Sequence, residues 1–177
     1  MTERTRAEEA EQLQHEIDLA IKKAANFQTA LHIALKYVCE VTSWEYGEAW
    51  IPNGKVLELS PVWYSIPNTE ALEKFRLCSE AFILSANTGL PGRVWASKQP
   101  EWIVDVSTET ETYFLRNQIA KACGVKAGFG IPVMNCDRPS VVIVFFMRQA
   151  QLEDKRLINL VALVIAQLEQ ALQRLSI

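Results

Sequence analysis

The chain has 177 residues, 49% hydrophobic and 22% charged, with a net charge of −3 and a pI near 5.5. That is enough for one domain with a full core, and the composition excludes an intrinsically disordered segment. No basic block stands out, which argues against a nucleic-acid partner.

The longest apolar run, Val141–Met147, is far short of the ~20 residues a membrane helix needs. Met1-Thr2-Glu3-Arg4-Thr5-Arg6 has no apolar core behind its basic residues, so it does not read as a signal peptide. A cytoplasmic location without membrane association is the expectation. Cys39, Cys78, Cys123 and Cys136 form no C-x-x-C pair, and the only histidines are His15 and His32, so zinc-site spacing is absent and no metal is expected.

Residues 3–42 read as one long helix, with no Gly or Pro before Gly47. Leu13, Ile17, Ala20, Ala24, Phe27, Leu31, Ala34, Leu35 and Val38 recur at threes and fours. Strands are expected at Trp44–Pro52 and Val56–Tyr64, with Asn53-Gly54 as a hairpin signal. Along the first, Tyr46, Glu48 and Trp50 alternate with Gly47, Ala49 and Ile51. A helix capped by Asn68 follows over 69–84.

Gly89-Leu90-Pro91-Gly92 then suggests a type II turn before a short helix over 93–98. Glu101–Val106 reads as a strand. Thr108-x-x-Glu111 has the form of a capping box for a helix over 112–122. Val125–Met134 and Ser140–Met147 read as strands, the second apolar on both alternations and therefore central. In a last helix over 152–175, Leu157, Val161, Val164, Leu168, Ala171 and Leu175 follow a heptad seam, and Ile158, Ile165 and Leu172 form a second apolar line.

This order predicts an α+β fold. A central antiparallel sheet of about six strands carries long N- and C-terminal helices on one face. Short helices and loops cover a pocket on the other. The division expected is an N-terminal helical extension, 1–23, and one domain, 24–177.

The middle of the chain resembles a GAF domain. The residues that carry the resemblance are Gly89-Leu90-Pro91-Gly92-Arg93-Val94-Trp95, Trp102-Ile103-Val104-Asp105-Val106 and Gly124 to Val133, followed by the strand Val141–Phe146 and the last helix. Trp44-Glu45-Tyr46-Gly47-Glu48-Ala49-Trp50 is similar to GAF modules of bacterial, especially cyanobacterial, signalling proteins. The resemblance implies a cytoplasmic sensor of two-component type that binds a small molecule. It also implies homodimerisation through terminal helices that relay a signal to an output domain such as a histidine kinase or cyclase.

Several GAF subfamilies can be compared residue by residue. Bilin-binding members attach their chromophore through a Cys-His pair, whereas Cys123 is followed by Gly124, so covalent bilin is not expected and the ligand stays unidentified. The Asn-Lys-Phe-Asp-Glu set of cyclic-nucleotide-binding members cannot be placed. Free methionine-(R)-sulfoxide reductases carry a cysteine in the Gly-rich turn, where this chain has Pro91 and Arg93. Thiol chemistry would need Cys78 and Cys123 to meet by folding, so a catalytic set is not assigned and a non-enzymatic role is expected.

The ligand hint lies in the aromatics and their neighbours: Trp50, Trp63, Trp95, Trp102, Tyr113, Phe114, Arg116, Cys123 and Phe129. Arg93 and Asn117 are further polar candidates. Arg116 suits a carboxylate or phosphate through its fork of donors. The aromatics suit an apolar pocket, although packing alone also explains buried rings. Leu157, Val161, Val164, Leu168 and Leu175 are the expected dimer seam, because two apolar lines on one helix exceed what one sheet face needs.

Overall fold

The computed structural model describes residues 3–175, so Met1, Thr2, Ser176 and Ile177 of the two expected segments lie outside the described residues. Helices α1 (Glu3–Lys23) and α2 (Phe27–Thr42) precede the hairpin β1 (Tyr46–Asn53) and β2 (Val56–Ser65). Then come α3 (Glu70–Ser79), β3 (Ile83–Ser85), α4 (Gly89–Ser97), β4 (Glu101–Ile103) and a 3-10 turn over Val106–Thr108. The chain closes with α5 (Asn117–Cys123), β5 (Gly128–Asn135), β6 (Arg138–Phe146) and α6 (Lys155–Leu175). The six strands form one antiparallel sheet in the order β3-β2-β1-β6-β5-β4. No helix among the described residues is long and apolar enough to cross a membrane.

The expected single N-terminal helix is broken at Asn26. Its backbone is extended, and its Oδ1 accepts from the Thr29 amide at 2.8 Å and the Thr29 hydroxyl at 2.9 Å. That cap starts α2 afresh, and α1 folds back along it, with Leu13, Ile17 and Ala20 lining a groove against Ile33 and Tyr37. The break needs neither Gly nor Pro, which is why the sequence conceals it.

The same period-2 alternation places each central strand between two cores. Ala49, Phe129, Ile131, Val133, Ile143 and Phe145 face α2 and α6 in a cluster with Leu31, Leu35, Val161, Val164 and Leu168. Tyr46, Trp50, Val142, Val144 and Phe146 face the short helices in a second cluster with Leu72, Phe75, Leu90, Val94 and Phe114. β6 is central and apolar on both alternations, as its sequence implies.

The expected dimer seam is therefore occupied within the chain. Val161, Val164 and Leu168 are fully buried, Leu157 and Leu175 pack at the edge, and the second line of Ile158, Ile165 and Leu172 joins the same cluster. α6 packs against α1 and α2 as well as against β5. The helix therefore has two further partner surfaces within the chain besides the sheet face. Arg174 reaches the Ile21 carbonyl at 3.1 Å, tying the end of α6 to the end of α1.

Three local expectations change. The helix after Asn68 starts with Thr69 at its N-cap position, whose hydroxyl donates back to the Ile66 carbonyl and caps no helical amide, and it ends at Ser79, because the chain must turn out to lay Ile83–Ser85 along Val56–Glu58 as an edge strand. Pro91 and Gly92 lie inside α4, not in a type II turn. Gly89 takes the positive φ, 65°, whereas Gly92 is needed for space, since a Cβ there would sit 2.4 Å from the Ser85 carbonyl oxygen. The capping box does not form. Asp105 caps the 3-10 turn by accepting from the Ser107 amide at 2.9 Å, and residues 109–116 run as turns before α5.

Candidate functional site

The Glu48 side chain issues from β1 between Tyr46 and Trp50, into the core beneath the short helices. Strand alternation leaves it no route to solvent, and it is 0% exposed. Opposite it is Arg116, the residue before α5, 2% exposed. Arg116 Nη2 lies 2.7 Å from Glu48 Oε1, and Nη1 donates to Glu48 Oε2 at 3.2 Å and to the Ser79 hydroxyl at 3.0 Å. Two buried charges can coexist here because the fork of donors meets both carboxylate oxygens.

Four rings surround the guanidinium, from Trp50, Phe75, Phe114 and Phe146, with centroids 5.1–5.5 Å from its central carbon. They exclude water and strengthen each polar contact inside.

A second guanidinium lies beside this pair. Arg76 of α3 is 4% exposed, donates to the Ser60 carbonyl at 2.6 Å, reaches Glu80 at 3.3 Å, and stacks on Trp63 at 5.5 Å. Its ionic partner Glu80 is half exposed. The Tyr46 hydroxyl lies 3.4 Å from Glu48 Oε2. Burial holds the Tyr46 phenol well above its ordinary pKa, and Glu48 adds to this while Arg116 and Arg76 oppose it.

Three buried donors, Trp50 Nε1, Arg76 Nη1 and Arg116 Nη2, and one buried acceptor, Glu48 Oε1, make no hydrogen bond here, the last two meeting only as an ion pair at 2.7 Å. The cluster thus holds two guanidiniums, an indole, a phenol and a hydroxyl around one fully buried carboxylate. Its surplus is in donors, and unpaired buried donors are costly unless something accepts from them.

The expected ligand residues divide between the faces. Trp50, Phe114 and Arg116 converge at the site, and Trp63 stands at its Arg76 edge. Trp95 and Cys123 are half-buried around the same cluster. Tyr113 is partly exposed and stacks at 3.8 Å under Arg93, which is itself held by Glu101 at 2.6 Å and by the Tyr113 carbonyl. Asn117 donates to the Glu109 carbonyl at 3.0 Å and holds the turn.

Trp102 and Phe129 are on the opposite face of the sheet. Each packs on Trp44 at a centroid distance of 5.8 Å and on the other at 5.7 Å, and Trp102 Nε1 donates to the Gln151 carbonyl at 2.9 Å. Sequence order put them near the pocket segments, but the register of β4 against β5 turns them toward the helices.

Glu48, Arg76, Tyr46 and Ser79 were missed. Glu48 left a signal, a carboxylate alternating with Tyr46 and Trp50 on a strand whose neighbours are apolar. Arg76 and Ser79 left none, being ordinary residues on an amphipathic helix.

Space for the short helices comes from β5. A Cβ on Gly130 would approach Val94 to 2.9 Å, and one on Gly128 would approach Phe146 to 2.9 Å. These glycines let α4 and the 3-10 turn sit directly on the strand, which places Leu90, Val106 and Phe114 around the site.

A six-stranded antiparallel sheet with long helices on one face and short covering helices on the other is the GAF fold, and solved structures agree. The GAF domain of an Acinetobacter phosphoenolpyruvate-protein phosphotransferase superposes with a TM-score of 0.70 at 14% identity, covering 92% of each chain. A free methionine-R-sulfoxide reductase from Neisseria meningitidis gives 0.68 at 15% identity, over 91% of this chain and 86% of that one. Among curated proteins, Protein NLP7 of Arabidopsis thaliana is 31% identical over 114 residues, which is 58% of this chain. The chain spans only 12% of that relative's length. No family model matches the chain. Nothing in these comparisons singles out the cyanobacterial signalling modules.

Proposed function

We propose that this chain is a non-enzymatic regulatory GAF module that senses a small anion at Arg116, within a larger signalling protein. The donor surplus around Glu48 carries the reading. A carboxylate or other oxyanion brings the acceptors that Trp50 Nε1 and Arg76 Nη1 lack, and a buried charge for Arg76, whose present partner Glu80 is half exposed. The ring cage restricts it to a small species. Entry requires the cover formed by α3, α5 and residues 109–116 to shift, because Glu48 is fixed on a central strand. That coupling of occupancy to cover position is what a sensor needs.

In this reading the signal passes through the terminal helices to an output domain such as a kinase or cyclase, in a homodimer. With the 157–175 seam occupied within the chain, the dimer contact falls on the outer faces of α1 and α6, where Leu13, Leu19 and Leu163 are exposed.

A second reading follows from the same cluster: Glu48 and the four rings already fill the space around Arg116. The module would then assemble without a ligand. Titration calorimetry with anions graded in size and shape, from formate and nitrate to acetate and phosphate, separates the two. The control is the paired Arg116→Met, Glu48→Leu variant, which keeps the packing volume and removes the charges. Saturable binding by the native chain and none by the variant supports the sensor. Equal heats from both favour the ligand-free module. Sedimentation of the native chain tests the dimer, and a monomer at high concentration removes that part.

A further inference from the structure

Residues 109–116 carry Phe114 and Arg116 to the buried cluster, yet they form no regular element. Most of their hydrogen bonds close locally. The Tyr113 and Phe114 amides donate to the Thr110 carbonyl at 3.0 and 2.8 Å, and the Asn117 side chain donates to the Glu109 carbonyl at 3.0 Å. Among the described residues, two arginine side chains bond the segment to distant elements. From inside, Arg116 reaches Glu48 and Ser79. From outside, Arg93 of α4 donates through Nη1 to the Tyr113 carbonyl, one residue before Phe114.

The guanidinium of Arg93 is held still for that contact. Its Nε lies 3.1 Å from both Glu101 oxygens, and its Nη2 donates to Oε2 at 2.6 Å, so one edge is locked on the first residue of β4. Glu101 is fixed in turn by the pairing of β4 with β5, where it stands opposite Gly130. The remaining nitrogen meets the Tyr113 carbonyl, and the Tyr113 ring stacks on the guanidinium at 3.8 Å. All three nitrogens thus have acceptors, and Arg93 serves as a clamp on the chain instead of a ligand donor. The clamp stands at the surface, with Arg93 18% and Tyr113 40% exposed, outside both hydrophobic cores.

We propose that Arg93 is the positioning residue that latches residues 109–116 over the buried cluster, its grip on the Tyr113 carbonyl setting how often the segment opens. Outward movement of Phe114 carries the neighbouring Tyr113 carbonyl away from a guanidinium that β4 holds in place. The bond is made in the closed form and broken in the open one, which is the differential contact a two-state element requires. The latch concerns the segment itself; its effect on anion entry rests on the sensor reading above.

Hydrogen–deuterium exchange of the native chain, Arg93→Met and Arg93→Lys is read by mass spectrometry. In Arg93→Met the amides of 109–116 should exchange about tenfold faster, as expected for the loss of one charge-assisted hydrogen bond, while those of β1 and β6 keep native rates. Arg93→Lys keeps a charge for Glu101 but lacks the planar fork, so it should exchange like Arg93→Met. Native rates over 109–116 in Arg93→Met, an equal rise across β6, or full rescue by Lys overturns the proposal. Formate is then mixed with each chain in stopped flow, with tryptophan fluorescence as the signal. In Arg93→Met, association and dissociation should quicken by the same factor and leave the affinity near native. A loss of affinity would make Arg93 part of the binding site and overturn its positioning role. If formate binds none of the chains, the sensor reading fails and the exchange rates alone decide the latch.

Discussion

On the face that carries α2 and α6, the sheet presents Ala49, Phe129, Ile131, Val133, Ile143 and Phe145, and the helices answer with Leu, Val and Ile. On the other face the same strands present Tyr46, Glu48 and Trp50, and the covering elements answer with Arg76, Ser79, Phe114 and Arg116. The first face relies chiefly on contact area, which is non-directional and tolerates adjustment, with its few side-chain hydrogen bonds at the edges. The second uses a few directional contacts in a dry surround, where each partner's absence is felt in full. A fold that had only to stand would have no need of the second arrangement, and this contrast is the physical reason to look for function beneath the short helices.

The largest expected effect breaks the polar face. Arg116→Met leaves Glu48 buried and unpaired and should cost about 3–5 kcal/mol in urea unfolding. Adding Glu48→Leu should return stability to the native value or above it, because an apolar pair of similar volume needs no desolvation. A double variant as unstable as the single one would show that the pair does not act as a unit.

On the apolar face Leu168→Ala should cost about 3 kcal/mol through the cavity it leaves, while anion titrations of the still-folded protein stay unchanged. Altered binding there would mean the two faces are not independent.

Alkaline pH probes both faces in sequence. Burial, then Glu40 and Glu45, push the Cys39 thiol from 9.0 to about 12. The folded state therefore keeps a proton that the unfolded chain releases, and stability falls from pH 9 upward until pH passes 12. The loss at pH 10.5 is about 2 kcal/mol from this group. Tyr46 adds to the slope above pH 10. Unfolding of Cys39→Ala should show a flatter slope between pH 9 and 10, because the Cys39 contribution is removed while those of the other raised groups, Cys123 and Tyr46, remain.

The smallest effect sharpens the boundary of the helix layer. Asn26→Ala removes the cap that starts α2 and should cost about 1 kcal/mol, read from the urea midpoint.

Most of the fold was legible in the sequence, because its signals are periodic and local. The hairpins, the central position of β6 and the final helix all follow from spacing in twos, threes and fours. β3 was not legible, since three residues carry no period and Ile83 read as part of a helix stripe. The separation of α1 from α2 rests on one Asn side chain. At the site, Trp50, Phe114 and Arg116 were legible as large or forked side chains near a Gly-rich segment. Their partners Glu48, Arg76 and Ser79 lie on other elements and become partners only when β1, α3 and α5 converge.

The sequence by itself determined the element types, the antiparallel sheet class, and which strand must be central, because hydrophobic period and turn chemistry act over a few residues. Tertiary structure alone decided on which face each aromatic falls, as with Trp102 and Phe129, whose orientation depends on β4–β5 register. It also decided that the α6 seam is buried within the chain and that Arg116 meets Glu48. Each of these depends on which surfaces remain uncovered after all the elements have packed, a property that no local window of sequence contains.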